Sequence, residues 1–124
     1  MEAKLKNIEF KFEKLIIWQK AMEFGENINK LAFEFPKEEI YNLSSQIRRA
    51  VDSVALNISE GSICQSNPEN VKFINYSIRS LAEGVTCLHK AKRRNYISEN
   101  NFTTNYEFAF KLMNMIIAYK KSLK

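Results

Sequence analysis

The sequence predicts an all-α chain, an antiparallel up-down-up-down four-helix bundle, on three observations. Apolar residues recur at steps of three and four through four long segments, the spacing of one helical face. Only three glycines and two prolines occur in 124 residues, few for a β-rich fold built on tight turns. The breaks between segments are short, and short connections make successive helices antiparallel neighbours.

The first helix is expected over residues 13–34, with Leu15, Trp18, Met22, Gly25, then Ile28 or Asn29, and Ala32 along one face. Phe35-Pro36 ends it, because proline pushes the preceding residue out of the helical region. Pro36 is then placed to open a second helix, over 37–60, with Glu38 and Glu39 at the positive end of its dipole. Ile40, Leu43, Ile47, Ala50, Val51, Val54 and Ile58 form its apolar stripe, and Gly61 is the expected stop.

Ser66 or Asn67 before Pro68 marks the start of a third helix, over 67–94. Its stripe of Val71, Ile74, Ile78, Leu81, Val85 and Leu88 alternates threes and fours like the seam of a left-handed bundle. Ser98 is the expected cap of a fourth helix, over 99–123. That helix carries two stripes, one of Phe102, Tyr106, Ala109, Met113 and Ile116 and another of Phe108, Leu112, Met115 and Tyr119, with Phe110 and Ile117 besides. One bundle core needs one stripe, so the surplus predicts a partner surface, most simply a second copy.

Residues 1–124 make one domain, since the length suits a single modest core and no linker or repeat divides it. Met1 to Lys14 alternates charged and isolated apolar residues, unlike an export signal. No run approaches the roughly 20 apolar residues that span a bilayer, so no membrane role is expected. Cys64 and Cys87 make no disulfide framework, and a cytoplasmic protein with reduced thiols is expected.

The formal charge of +5 is concentrated in the second half. Arg48, Arg49, Arg79, Lys90, Lys92, Arg93 and Arg94 are the candidate contacts for RNA or DNA, since basic surfaces attract polyanions. The plainer reading is that cations near a helix C-terminus offset its dipole. A second group, Gln46, Arg49, Ser53, Asn57 and Glu60, follows steps of three and four beside the apolar stripe of the second helix. Ser and Asn propagate helices poorly, so Gln46, Ser53, Asn57 and Glu60 are expected to pin register, meet a subunit or face a ligand.

Catalytic patterns are weaker. His89 is the only histidine, and Cys87, two residues away, points to another face of the helix. No Glu-x-x-His pair, phosphate loop or nucleophile motif accompanies them. No enzyme, metal, cofactor or small-molecule substrate is expected.

Several of these residues also form an ordered set. It runs from Phe12-x-x-Leu15-x-x-Trp18-x-x-Ala21 through Phe35-Pro36-x-x-Glu39-x-x-x-Leu43-x-x-Gln46-x-Arg48-Arg49-Ala50 to Ser53-x-x-x-Asn57-Ile58-x-Glu60-Gly61. It resumes at Phe73 to Glu83 and at Tyr96-Ile97, covering residues 12–97. In this order and spacing the set resembles the 23S rRNA-intervening sequence protein family of small bacterial four-helix bundles. Arg79 departs from it, standing where that pattern has glycine, and Gly84 stands where it has an apolar residue. The resemblance implies a cyclic homopentamer and similarity to the basic accessory protein of diversity-generating retroelements; it implies no settled activity. Two functions follow as expectations: a non-enzymatic ring that binds RNA or DNA, or an adaptor that docks another protein.

Overall fold

A computed structural model describes residues 8–123 of the chain. The reading of the N-terminus as no export signal rests partly on residues 1–7, outside the described residues. Four helices follow in order: α1 (Ile16–Ala32), α2 (Leu43–Ser62), α3 (Asn67–Arg93) and α4 (Glu99–Ser122). Short 3-10 turns at Lys11–Lys14 and Lys37–Glu39 precede α1 and α2. The described residues contain no strand. Each helix packs on its neighbours in the chain, and α4 returns to α1.

Cross-helix pairs fix the direction. Gln46 meets Glu83, Ser53 meets Ser80 and Val54 meets Ser77, so α3 runs against α2. Arg48 lies over the Phe33 ring and Asp52 meets Asn29, so α2 runs back along α1. Lys92 meets Glu99 at one end of the α3–α4 pair and Asn70 meets Tyr119 at the other. The bundle is therefore antiparallel throughout.

Ser98 caps α4 as expected, and of the two residues offered for α3 it is Ser66 that caps. The Ser66 hydroxyl accepts the Glu69 N–H and that of Ser98 accepts the Asn101 N–H, each satisfying one donor the helix leaves orphaned. At the end of α3, Asn95 takes φ 62°. Asn95 N–H donates to Lys92 and Tyr96 N–H to Ala91, the paired closure of a Schellman motif.

Elsewhere the structure corrects the sequence reading. Pro36 opens only the Lys37–Glu39 turn, and α2 begins later, at Leu43, whose N–H is held by the Glu39 carboxylate. Gly61 does not stop α2, which continues to Ser62 with no glycine at positive φ. Gly61 is buried where α3 comes close: a Cβ there would lie 2.6 Å from Asn70 Oδ1 and 3.0 Å from Phe73 Cβ. Steric room explains that glycine.

The core stripes also shift. On α1 the buried face is Ile17, Ala21, Phe24, Gly25, Ile28 and Ala32, while Met22 is 43% exposed. Leu15 lies outside the helix, in extended backbone, and Trp18 is only partly buried. On α3, Ile74, Leu81 and Leu88 are buried as the seam predicts, whereas Val71, Ile78 and Val85 are only partly so. Ser77 and Gly84 share the buried face instead, because α2 approaches closely there. The Ser77 hydroxyl donates to the Val54 carbonyl at 2.8 Å, and a Cβ on Gly84 would lie 3.1 Å from Val51.

On α4 the core takes Phe102, Asn105, Ala109, Leu112 and Ile116, drawing on both predicted stripes. Their outer members flank it: Phe108 and Met115 toward α1, Tyr106 and Met113 toward α3. Phe110 is left 61% exposed. No helix among the described residues is long and apolar enough to cross a membrane.

Candidate nucleic-acid interface

Antiparallel packing sets the start of α2 beside the end of α3. Four of the seven candidate cations lie at that end of the bundle: Lys90, Lys92 and Arg93 in the last turn of α3, and Arg94 at its cap. Arg48 and Arg49 fall instead between the levels of Glu83 and Ser80 on α3. Arg79 lies farther along, in the middle of α3. The α1–α2 and α3–α4 connections close this same end.

A buried carboxylate ties those connections together. Glu39 is 6% exposed, and its Oε2 accepts from Arg94 Nη1 at 2.9 Å and from the Tyr96 hydroxyl at 2.7 Å. Its Oε1 accepts from Asn42 Nδ2 at 3.0 Å and Leu43 N–H at 3.2 Å. The Tyr96 hydroxyl, ahead of the Leu43 N–H, Arg94 and Asn42, holds this carboxyl below its ordinary range against the opposing effect of burial. The same hydrogen bond, then burial, pushes the Tyr96 phenol upward.

Arg94 is thus committed to Glu39. Lys92 is paired with Glu99 at 3.2 Å and lies 4.5 Å from the Phe102 ring centroid. Arg49 donates to the Ser45 hydroxyl and Arg48 to Asn29 Oδ1, with the Arg48 guanidinium 5.0 Å over the Phe33 ring. Arg79, Lys90 and Arg93 are exposed and have no hydrogen-bond or ion-pair partner among the described residues. With Lys72, which the sequence reading passed over, they share the outward face of α3 at steps of seven, eleven and three. From Lys72 to Arg93 that face extends about 30 Å.

The polar stripe faces α3. Asn57 Nδ2 donates to both the Ser53 carbonyl and its hydroxyl at 2.9 Å, and Ser53 Oγ accepts again from Ser80 at 2.9 Å. Gln46 Nε2 reaches Glu83 at 3.4 Å, while Glu60 is exposed. Ser53 therefore joins α2 to α3 through Ser80, while Asn57 bonds back one turn within α2 and braces Ser53.

Cys87 is buried, and burial raises its thiol pKa. His89 stands edge-on to Phe102 and Tyr106, packing α3 on α4. Among the described residues no three His, Cys, Asp or Glu side chains group as metal ligands. A groove of about 530 Å³ between α1 and α2 is open, and Trp18, Met22, Glu26, Asp52 and Leu56 are among the residues that line it.

Family comparison settles the lineage. The 23S rRNA-intervening sequence protein family matches residues 13–118. The chain belongs to that family. A crystal structure of an S23 ribosomal protein family member of unknown function, from Bacteroides thetaiotaomicron, superposes with a TM-score of 0.77. It is 21% identical, over 86% of this chain and 99% of that one, a likeness that shows the shared fold. No curated protein matches. Within the intervening-sequence family pattern, Arg79 is an exposed side chain on the outward face of α3, so a large cation fits there without parting helices. Gly84, the other departure, is buried against Val51.

Sequence reasoning missed Glu39, Tyr96, Phe33 and Tyr41 as parts of this end. Glu39 and Arg94 are 55 residues apart, so no local pattern joins them. Phe33 and Tyr41 did leave a signal: both are aromatic and both fall off the apolar stripes.

Proposed function

We propose that this family member is a non-enzymatic, self-associating bundle that binds RNA or DNA through its basic end and the outward face of α3. The exposed Arg79, Lys90 and Arg93, which have no hydrogen-bond or ion-pair partner among the described residues and share the outward face of α3 with Lys72, carry the reading. Cations already spent on carboxylates add little to a polyanion, and among the described residues Lys92 and Arg94 are the candidates so spent. Binding of this kind is electrostatic, weakly sequence-selective and steeply salt-dependent. Self-association is favoured by the apolar surplus on α4, with Phe110 exposed beside Tyr106 and Met113. The ring form, and five-fold closure, rest on the family resemblance.

The test is a titration of wild type and the Lys90→Glu/Arg93→Glu variant against a short structured RNA and a DNA duplex at several salt concentrations. The variant should melt like wild type, bind more weakly, and lose about one unit of salt slope for each phosphate contact removed. Equal affinity and slope would remove this surface from the site. The same apolar surplus favours a second reading, an adaptor that docks a partner protein, which requires a complex that persists after nuclease treatment.

A further inference from the structure

We infer that Phe33 and Tyr41 form a stacking platform for unpaired nucleobases at the basic end of the bundle, an inference that rests on the nucleic-acid reading above. They are the two most exposed large apolar side chains among the described residues, at 74% and 96%. Most aromatic rings of this chain pack on one another, as Phe12 does on Trp18, Phe24 on Phe108 and Phe35 on Tyr96. Phe33 and Tyr41 stack on no other ring among the described residues. Both belong to the α1–α2 connection, at the end of the bundle where Lys90 and Arg93 close α3.

Their supports are fixed. Around Tyr41, Ile40 N–H donates to the Lys37 carbonyl, Asn42 N–H to the Glu39 carbonyl, and Leu43 N–H to the Glu39 carboxylate. The Glu39 carboxylate is in turn held by Arg94 and Tyr96, so an exposed ring sits on a tethered turn. Phe33 carries the Arg48 guanidinium 5.0 Å above it, and Arg48 is oriented by Asn29, which Asp52 holds. A backbone held in place before binding loses little freedom when a base stacks on the ring it carries. Every base offers a π-face, and neighbouring cations can follow the phosphates, which is how single strands are held without sequence readout. A duplex keeps its bases stacked inside, so the platform selects unpaired strands.

The experiment measures anisotropy of labelled oligouridylate and of a duplex at one low salt concentration, with full-length wild type, Phe33→Ala, Tyr41→Ala and Tyr41→Trp. Both positions are exposed, so folding is not at stake. Wild type should prefer the unpaired strand. Each alanine variant should weaken that binding by about five- to a hundred-fold, and Tyr41→Trp should restore it, with duplex affinity and oligomer size unchanged. If the alanine variants bind oligouridylate like wild type, the platform is wrong while the electrostatic reading survives. If Tyr41→Ala or Phe33→Ala shrinks the oligomer, that ring belongs to a subunit contact and the inference falls. If wild type binds neither nucleic acid, the underlying reading fails and takes the platform with it.

Discussion

The Tyr96 hydroxyl donates a 2.7 Å hydrogen bond to Glu39, linking the α3–α4 connection to the α1–α2 connection across 57 residues of chain. Arg94 joins the same carboxylate, and the Asn95 turn that ends α3 presents both partners to it. The geometry of the basic end thus depends on one buried carboxyl group.

Acid should loosen that end. Because the folded-state pKa of Glu39 lies below its ordinary value near 4.5, its stabilisation is present above that value and is lost as pH falls through the lowered one. Tyr96 works in the opposite direction: its raised pKa gives stability below the ordinary value near 10, lost as pH rises through the higher one. Melts of wild type and Glu39→Gln across pH should differ most near neutrality and converge in acid. A constant gap would show that the carboxylate charge contributes nothing.

Arg93 and Arg94 should separate cleanly. Arg94→Ala removes a partner of Glu39 and should lower the melting temperature, whereas Arg93→Ala, exposed and unpaired among the described residues, should not. Weakened RNA binding with unchanged melting is expected of Arg93→Ala alone. Equal melting temperatures would mean that the Arg94 pair is worth no more than a surface ion pair.

The glycines offer a steric test. Gly61→Ala would set a Cβ 2.6 Å from Asn70 Oδ1 and 3.0 Å from Phe73 Cβ, and should cost about 1–3 kcal/mol by overpacking. Gly25→Ala meets nothing nearer than 3.6 Å and should gain up to about 1 kcal/mol from helix propensity. Urea unfolding of both variants reads the contrast directly, and equal changes would contradict it.

Within the α2–α3 seam, Ser53 Oγ accepts from both Asn57 and Ser80. Ser53→Ala takes the acceptor from the Ser80 hydroxyl and one of two acceptors from Asn57, which keeps the Ser53 carbonyl. It should cost about 1–2 kcal/mol, while Ser80→Ala removes one bond and should cost about 1 kcal/mol or less. Chemical denaturation that ranks them the other way would place the anchor of the seam elsewhere.

What the sequence disclosed follows from range. The Ser66 and Ser98 caps were legible because a cap is decided within three residues. Gly61 was misread as a stop because its reason lies on another helix, at Asn70 and Phe73. On α4 two apolar stripes share one period, and only the positions of α1 and α3 decide that Ala109 and Leu112 both enter the core. The cations were found as residues, but which of them share a level of the bundle is decided by the antiparallel packing of α2 and α3. The pairing of Arg94 with Glu39, which withdraws one of them, has no local signal at all.

The proposed self-association rests on the apolar surplus of α4, of which Phe110 is the most exposed side chain. Phe110→Glu should reduce the assembly to smaller species while the fold holds, since the side chain is exposed in the single chain. An unchanged size would move the contact to another face.

The most direct measurement is light scattering coupled to size exclusion, made on wild type alone and with a short structured RNA at low and at high salt. The account predicts an oligomer that shifts to larger mass with RNA at low salt and returns to its own mass at high salt. A monomer indifferent to RNA at either salt would contradict both the assembly and the nucleic-acid reading.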